Sequence, residues 1–291
     1  MSLDKWGITQ LYPTIPGGRE WFSDWYTARS WTSKGFGQEV ASRDPKDAET
    51  FLYCPKDDAG YPNSASVADG ILTLNGASLR FLVKKPGSTW KNVEITTYFR
   101  KVSKYGVGTT DSCLNISSPG NHDLAYLCTL SGYGYYAEVK SDGKEQMLKE
   151  LLHVSGSNPD GYSLKKYPVS PNFFNGNFPI GQYIGYKLIV QNCDNEQHRR
   201  IRYYRDVTDS KPNGGDWKLL LDVTDTGNWE VTQDVWNLGN PNDSDCKNPA
   251  NKPNTSRNKV LNWAANSIQF RVYHNIIKMK KTSVREISPL L

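Results

Sequence analysis

The chain has 291 residues, 37% hydrophobic and 12% aromatic, with a net charge of +5 and a pI near 8.8. That length suits one large all-β domain, and the low aliphatic share with nine Trp and 17 Tyr excludes a helical bundle. The mild positive charge would attract an anionic polymer. It excludes nucleic acid as the expected partner, because the densest basic clusters, Arg199-Arg200-Ile201-Arg202 and Lys278-Met279-Lys280-Lys281, are short and join no nucleic-acid motif.

No stretch approaches the ~18 apolar residues of a membrane span, so none is expected. Met1-Ser2-Leu3 reads as a leader added for expression, in place of a native signal. With the sequons at Asn115, Asn242 and Asn254, this leads to the expectation of a secreted or cell-surface protein. The five cysteines, Cys54, Cys113, Cys128, Cys193 and Cys246, form no CxxC pair, which argues against zinc. Their pairing is left open.

Residues 1–65 are punctuated by prolines and read as an irregular N-terminal arm with short strands. Trp21, Trp25 and Trp31 would pack it onto the domain. Ile71 to Leu74 and Leu79 to Val83 read as strands joined by a hairpin turn at Asn75-Gly76. Val93 to Arg100 alternates cleanly. Val93, Ile95 and Phe99 share one face; Glu94, Thr96, Tyr98 and Arg100 share the other.

Tyr133 to Lys140 is a further strand. Glu145 to His153 contains good helix formers, but the turn before it and the β context favour a strand with Lys149, Leu151 and His153 on one face. Residues 155–182 read as a long loop. Strands follow at Tyr183 to Gln191, Ile201 to Arg205 and Trp217 to Val223. Ser267 to His274 and Thr282 to Ile287 close the chain, with a short link between them.

Three stretches carry a family likeness. They are Trp90 to Arg100; Tyr186 to Val190 together with Ile201 to Asp206 and Trp217 to Leu220; and Ser283 to Ile287. This layout resembles the concanavalin A-like jelly-roll superfamily and, within it, the alginate-lyase-like polysaccharide lyases. The resemblance implies a jelly-roll β-sandwich of two antiparallel sheets over residues 66–291. Lyases of that type carry an Arg-Ser-Glu-Leu-Arg strand, a Gln-Ile-His or Gln-Val-His strand and a Tyr-rich strand with a Lys. This chain has none of these as written. Its loose counterparts are Glu94 to Arg100 and Lys149 to His153.

The expected site is a concave groove binding an extended, acidic polysaccharide and cleaving it by β-elimination. Such chemistry must neutralise a carboxylate, remove the neighbouring proton and protonate the leaving oxygen. Arg100 or Lys149 would grip the carboxylate. His153, or His122 at the rim, would be the base. Tyr98, Tyr135 or Tyr273 would be the acid. Glu94, Tyr98, Lys187, Gln191 and Arg271 would bind substrate along the groove. Two alternatives stand beside this: a non-catalytic carbohydrate-binding or cell-surface structural protein of the same fold, and a glycoside hydrolase pairing Glu94 with Glu138 or Glu150. No cofactor is expected, apart from a structural calcium in the oxygen-rich loop Asn240 to Asp245.

Overall fold

The structure is a computed structural model that describes residues 2–32, 40–54, 63–84, 90–105, 112–120, 134–150, 167–170, 173–227, 229, 260–261, 264 and 267–291. The described residues contain fifteen strands and no helix. All named strand pairs are antiparallel.

The ladder is continuous but folds over on itself. The first sheet runs β11 (Tyr167–Ser170), β10 (Glu145–Glu150), β9 (Gly134–Lys140), β8 (Ser112–Gly120), then the first half of β15 (Ser267–Glu286). It continues through the second half of β6 (Ile71–Val83) to β4 (Asp47–Cys54) and β3 (Val40–Asp44). The second sheet runs β14 (Lys218–Asp225), β13 (His198–Asp206), β12 (Ile184–Cys193), β7 (Val93–Lys104) and the second half of β15. Beyond β15 lie β1 (Glu20–Phe22) and, through the first half of β6, β5 (Ser64–Ala68) and β2 (Arg29–Thr32). This is the all-β sandwich expected from the sequence.

Two long strands make the corner. β15 spans 20 residues and has left-handed backbone at His274 (φ 44) and Lys281 (φ 51). Its pairing shifts register between Ile276 and Ile277 and between Lys280 and Ser283. Bulges of this kind let one strand leave a sheet and enter the other. The expected link between two closing strands is therefore itself strand.

The expected hairpin at Asn75-Gly76 is also absent, because β6 runs straight through it. Gly76 has no positive φ, which the tight hairpin turn needs. A Cβ on Gly76 would lie 2.5 Å from Asn63 Oδ1, so its role is close approach, not turning. The real turn comes earlier, at Asp69 (φ 54) and Gly70 (φ 77).

The core lies between the two sheets. Phe81, Phe270, Ile116, Ala137 and Met147 come from the first sheet; Ile95, Phe99, Leu188, Ile201 and Tyr203 come from the second. Phe99 stacks on Phe178 at 5.0 Å, and Tyr186 stacks on Tyr203 at 5.5 Å. Trp21, Trp25 and Trp31 join this core, which is the packing role expected of them. The segment Glu145–Glu150 is a strand, as the turn before it and the β context favoured over its helix propensity.

Candidate functional site

The expected groove residues fall on three different surfaces. Glu94, Tyr98, Lys187 and Gln191 lie on the outer face of the second sheet, where cross-strand pairing brings β7 and β12 together. That face is not open. The N-terminal arm and the C-terminal tail cover it, and these four side chains are 0 to 1% exposed.

The charges of Glu94, Lys187 and Arg285 meet one another there. Glu94 takes the Lys187 ammonium at 2.7 Å and the Arg285 guanidinium at 2.8 Å. It also accepts from the backbone N–H of Tyr12 at 2.9 Å. Burial pushes the Lys187 pKa down, and Glu94 opposes that shift. Tyr98 donates to Asp206 at 2.7 Å, and burial together with that carboxylate pushes its phenol far up. Gln191 donates to the Ser288 carbonyl at 2.6 Å and accepts from Arg202 at 2.5 Å. Arg202 in turn lies 4.7 Å from the Tyr12 ring centroid. Arg100, further along β7, is half-buried with its guanidinium 5.0 Å from the Tyr183 ring centroid. Glu94, Arg202 and Arg285 fasten the arm to the sheet through Tyr12, and Gln191 holds the tail.

Tyr135 and Lys149 point the other way, into the core. They are cross-strand partners on β9 and β10, both 0% exposed, and both meet Asp225 of the opposite sheet. Tyr135 donates to Asp225 Oδ2 at 2.6 Å and Lys149 to the same oxygen at 2.5 Å. A parallel bridge joins Glu145 to Tyr186 at 2.7 Å and to Arg205 at 2.5 Å. Both ties pin the two sheets together. Tyr135 and Lys149 therefore do not line a surface groove. His153 and His122 lie outside the described residues.

Arg271 and Tyr273 are the remaining pair, and they sit on the third surface, the outer face of the first sheet. The inward set on β15 is Ile268, Phe270 and Val272, so Gln269, Arg271 and Tyr273 must face outward. Arg271 donates to the Tyr273 hydroxyl and lies 4.0 Å from its ring centroid. Register extends this face across the sheet in two rungs. One joins Gln146, Glu138, Asn115, Arg271 and Arg80. The next joins Leu148, Tyr136, Ser117, Gln269 and Leu82.

This face differs from the first in its bonding. Gln269 is 0% exposed, yet neither its Oε1 nor its Nε2 has a hydrogen-bond partner among the described residues. The same holds for Asn115 Oδ1 and Ser117 Oγ on the neighbouring strand. Each such buried atom costs about 1–3 kcal/mol. At one end of the rung Glu138 is engaged by Ser112 and Gln146. At the other end Arg271 and Arg80 are cross-strand partners, which puts two basic residues side by side on this face. This face too is buried, with Gln269 and Ser117 0% exposed and Arg80 2%; its amides, hydroxyl, guanidiniums and phenol are of the kinds that hydrogen-bond a polyhydroxylated chain and neutralise a carboxylate on it.

Sequence reasoning singled out Arg271 and Tyr273 here and missed Gln269, Ser117, Asn115 and Arg80. The alternation of Ser267 to Tyr273 already placed Gln269 beside Arg271. Only cross-strand register could add the others. Among the described residues, no cluster of three or more His, Cys, Asp or Glu could hold a metal, and no helix is long and apolar enough to cross a membrane. The loop expected for calcium lies outside the described residues.

No known family model matches the chain, and no curated protein matches it. Solved structures match the chain at low similarity. An alginate lyase, Aly36B, is 12% identical with a TM-score of 0.37, over 77% of this chain and 84% of its own. Peanut lectin in complex with a nine-residue peptide is 9% identical with a TM-score of 0.38, over 89% and 96%. The cellulose-induced protein Cip1 is 13% identical with a TM-score of 0.32, over 91% and 92%. At these scores the functional reading rests on this chain's own residues.

Proposed function

We propose that the outer face of the first sheet binds an acidic polysaccharide and cleaves it by β-elimination. The observation that carries this reading is the buried, unpartnered side chain of Gln269, flanked by Asn115 and Ser117 and set beside Arg271. In this reading the Gln269 Nε2–H donates to a uronate carboxylate, Gln269 Oε1 and Asn115 Oδ1 accept from sugar hydroxyls, and the guanidiniums of Arg271 and Arg80 neutralise the carboxylate. The proton on the neighbouring carbon then becomes acidic. A base removes it, the electron pair forms a carbon–carbon double bond, and the glycosidic oxygen leaves.

Tyr273 is suited to protonate that oxygen. Its hydroxyl accepts from Arg271, which leaves its own hydrogen to be donated elsewhere. The His274 ring stacks on Tyr273 at 6.0 Å, and its Nδ1 has no partner. That imidazole is the candidate base among the described residues.

The test is ultraviolet absorbance during incubation with a panel of uronate polysaccharides. A rising signal from unsaturated chain ends that is lost in Tyr273→Phe supports the lyase reading. A flat trace, with retardation of the protein in polysaccharide-containing gels, would instead assign the face to a binding module.

A further inference from the structure

A separate cavity of about 200 Å³ opens on the other side of the molecule, between the N-terminal arm, the turn at Asp69-Gly70 and the second bulge of β15. Its volume is below the ~300–1,000 Å³ of pockets for drug-sized ligands, which makes it a site for one ring rather than a chain. Trp6 and Tyr26 form one wall, with ring centroids 5.9 Å apart and planes inclined by 36°. Tyr26 is 61% exposed, an unusual setting for a large aromatic side chain. Gly70 lets it lie there: a Cβ at that position would come within 3.0 Å of the Tyr26 ring.

The polar groups are mixed in sign. Lys280 is neutralised by Asp209 at 2.7 Å and lies 4.0 Å from the Tyr183 ring centroid. Lys281 donates only to the Ser210 hydroxyl, at 2.7 Å, and pairs with no carboxylate among the described residues. Asp69 is exposed on the same rim. Trp6 Nε1 is buried without a hydrogen-bond partner among the described residues. A bare anion fits this poorly, because the Asp69 carboxylate would repel it. A ring with several hydroxyls and an apolar C–H face fits each feature. Hydroxyls can accept from Lys281 and Trp6 and donate to Asp69, while the C–H face lies on Tyr26.

We propose that this cavity is a second, independent site that binds a single neutral hexose ring. It shares no residue with the outer face of the first sheet, so it stands whether or not that face is catalytic.

Saturation-transfer NMR on the full chain, with glucose, galactose and mannose offered separately, tests it. Transfer to the ring protons of at least one sugar is expected. Tyr26→Ala should abolish it, and Asp69→Ala should weaken binding about tenfold. Gln269→Leu should leave it unchanged. Because Tyr26 is largely exposed, its variant should unfold at the same denaturant midpoint as the parent. No transfer from any of the sugars, or transfer that survives Tyr26→Ala, overturns the proposal. So does transfer lost in Gln269→Leu alone, which would assign the sugar to the first sheet.

Discussion

The two outer faces of the sandwich look alike as sequence and behave differently as structure. Each places charged, amide and tyrosine side chains at alternate positions of a strand. On the second sheet, Glu94, Lys187, Arg285, Gln191 and Arg202 bond to one another or to the arm and tail laid over them. On the first sheet, Gln269, Asn115 and Ser117 hold hydrogen-bonding atoms without partners among the described residues. A polar strand face therefore has two uses. It can fasten another part of the same chain, or it can remain poised for something else. The difference is one of degree: Arg202 Nε and Ser283 Oγ on the second sheet also lack partners among the described residues, but there the carboxylate, ammonium and guanidinium charges meet one another.

The largest effect should come from breaking the fastened face. Glu94→Gln leaves the buried Lys187 and Arg285 charges without their carboxylate, and should cost about 3–5 kcal/mol of stability. Urea unfolding measures this, and a loss under about 1 kcal/mol would mean that solvent reaches the cluster.

The opposite is expected across the sandwich. Gln269→Leu replaces unpartnered amide atoms with an apolar side chain of similar size, so stability should hold or rise by up to about 1–3 kcal/mol. A fall of that size would show that Gln269 is bonded within the folded protein.

A smaller loss, about 0.5–2 kcal/mol, is expected for Tyr12→Ala. It removes the ring that the Arg202 guanidinium lies against at 4.7 Å. Trypsin cleavage in the arm should accelerate in parallel, and an unchanged cleavage rate would argue that Tyr12 does not hold the arm.

The smallest effect is on pH dependence. Burial raises the Asp206 pKa, but hydrogen bonds from Thr208, Tyr98 and the backbone outweigh it and hold the carboxyl below its ordinary 3.8. A depressed folded pKa contributes stability above the unfolded value, and that stability is lost as pH falls through the folded one. Asp206→Asn should therefore flatten the stability profile below about pH 3.8 and leave its shape near neutrality unchanged. A profile parallel to the parent's throughout acid would remove Asp206 from the account.

Much of the fold was legible because alternation is a local signal. Val93 to Arg100 declared both of its faces, and Ser267 to Tyr273 declared an outward Gln, Arg and Tyr. The site was less legible, because partners are not local. Nothing near Glu94 in sequence announces Lys187, Arg285 or the Tyr12 backbone. Lys149 and Tyr135 look presented until Asp225 of the opposite sheet is seen between them. Asn75-Gly76 has hairpin composition, yet the chain runs straight through it, paired to β5 and β15, and the glycine serves close approach to Asn63 and Leu79. Long-range register decides each of these.

The most direct test of the central claim compares the two faces in one binding experiment. The parent, Gln269→Leu and Tyr12→Ala proteins would be titrated with a uronate polysaccharide and followed by gel retardation. The account predicts that the parent and Tyr12→Ala bind alike while Gln269→Leu, still folded, does not. Equal binding by Gln269→Leu and the parent would contradict it and remove the first-sheet face from the function of this protein.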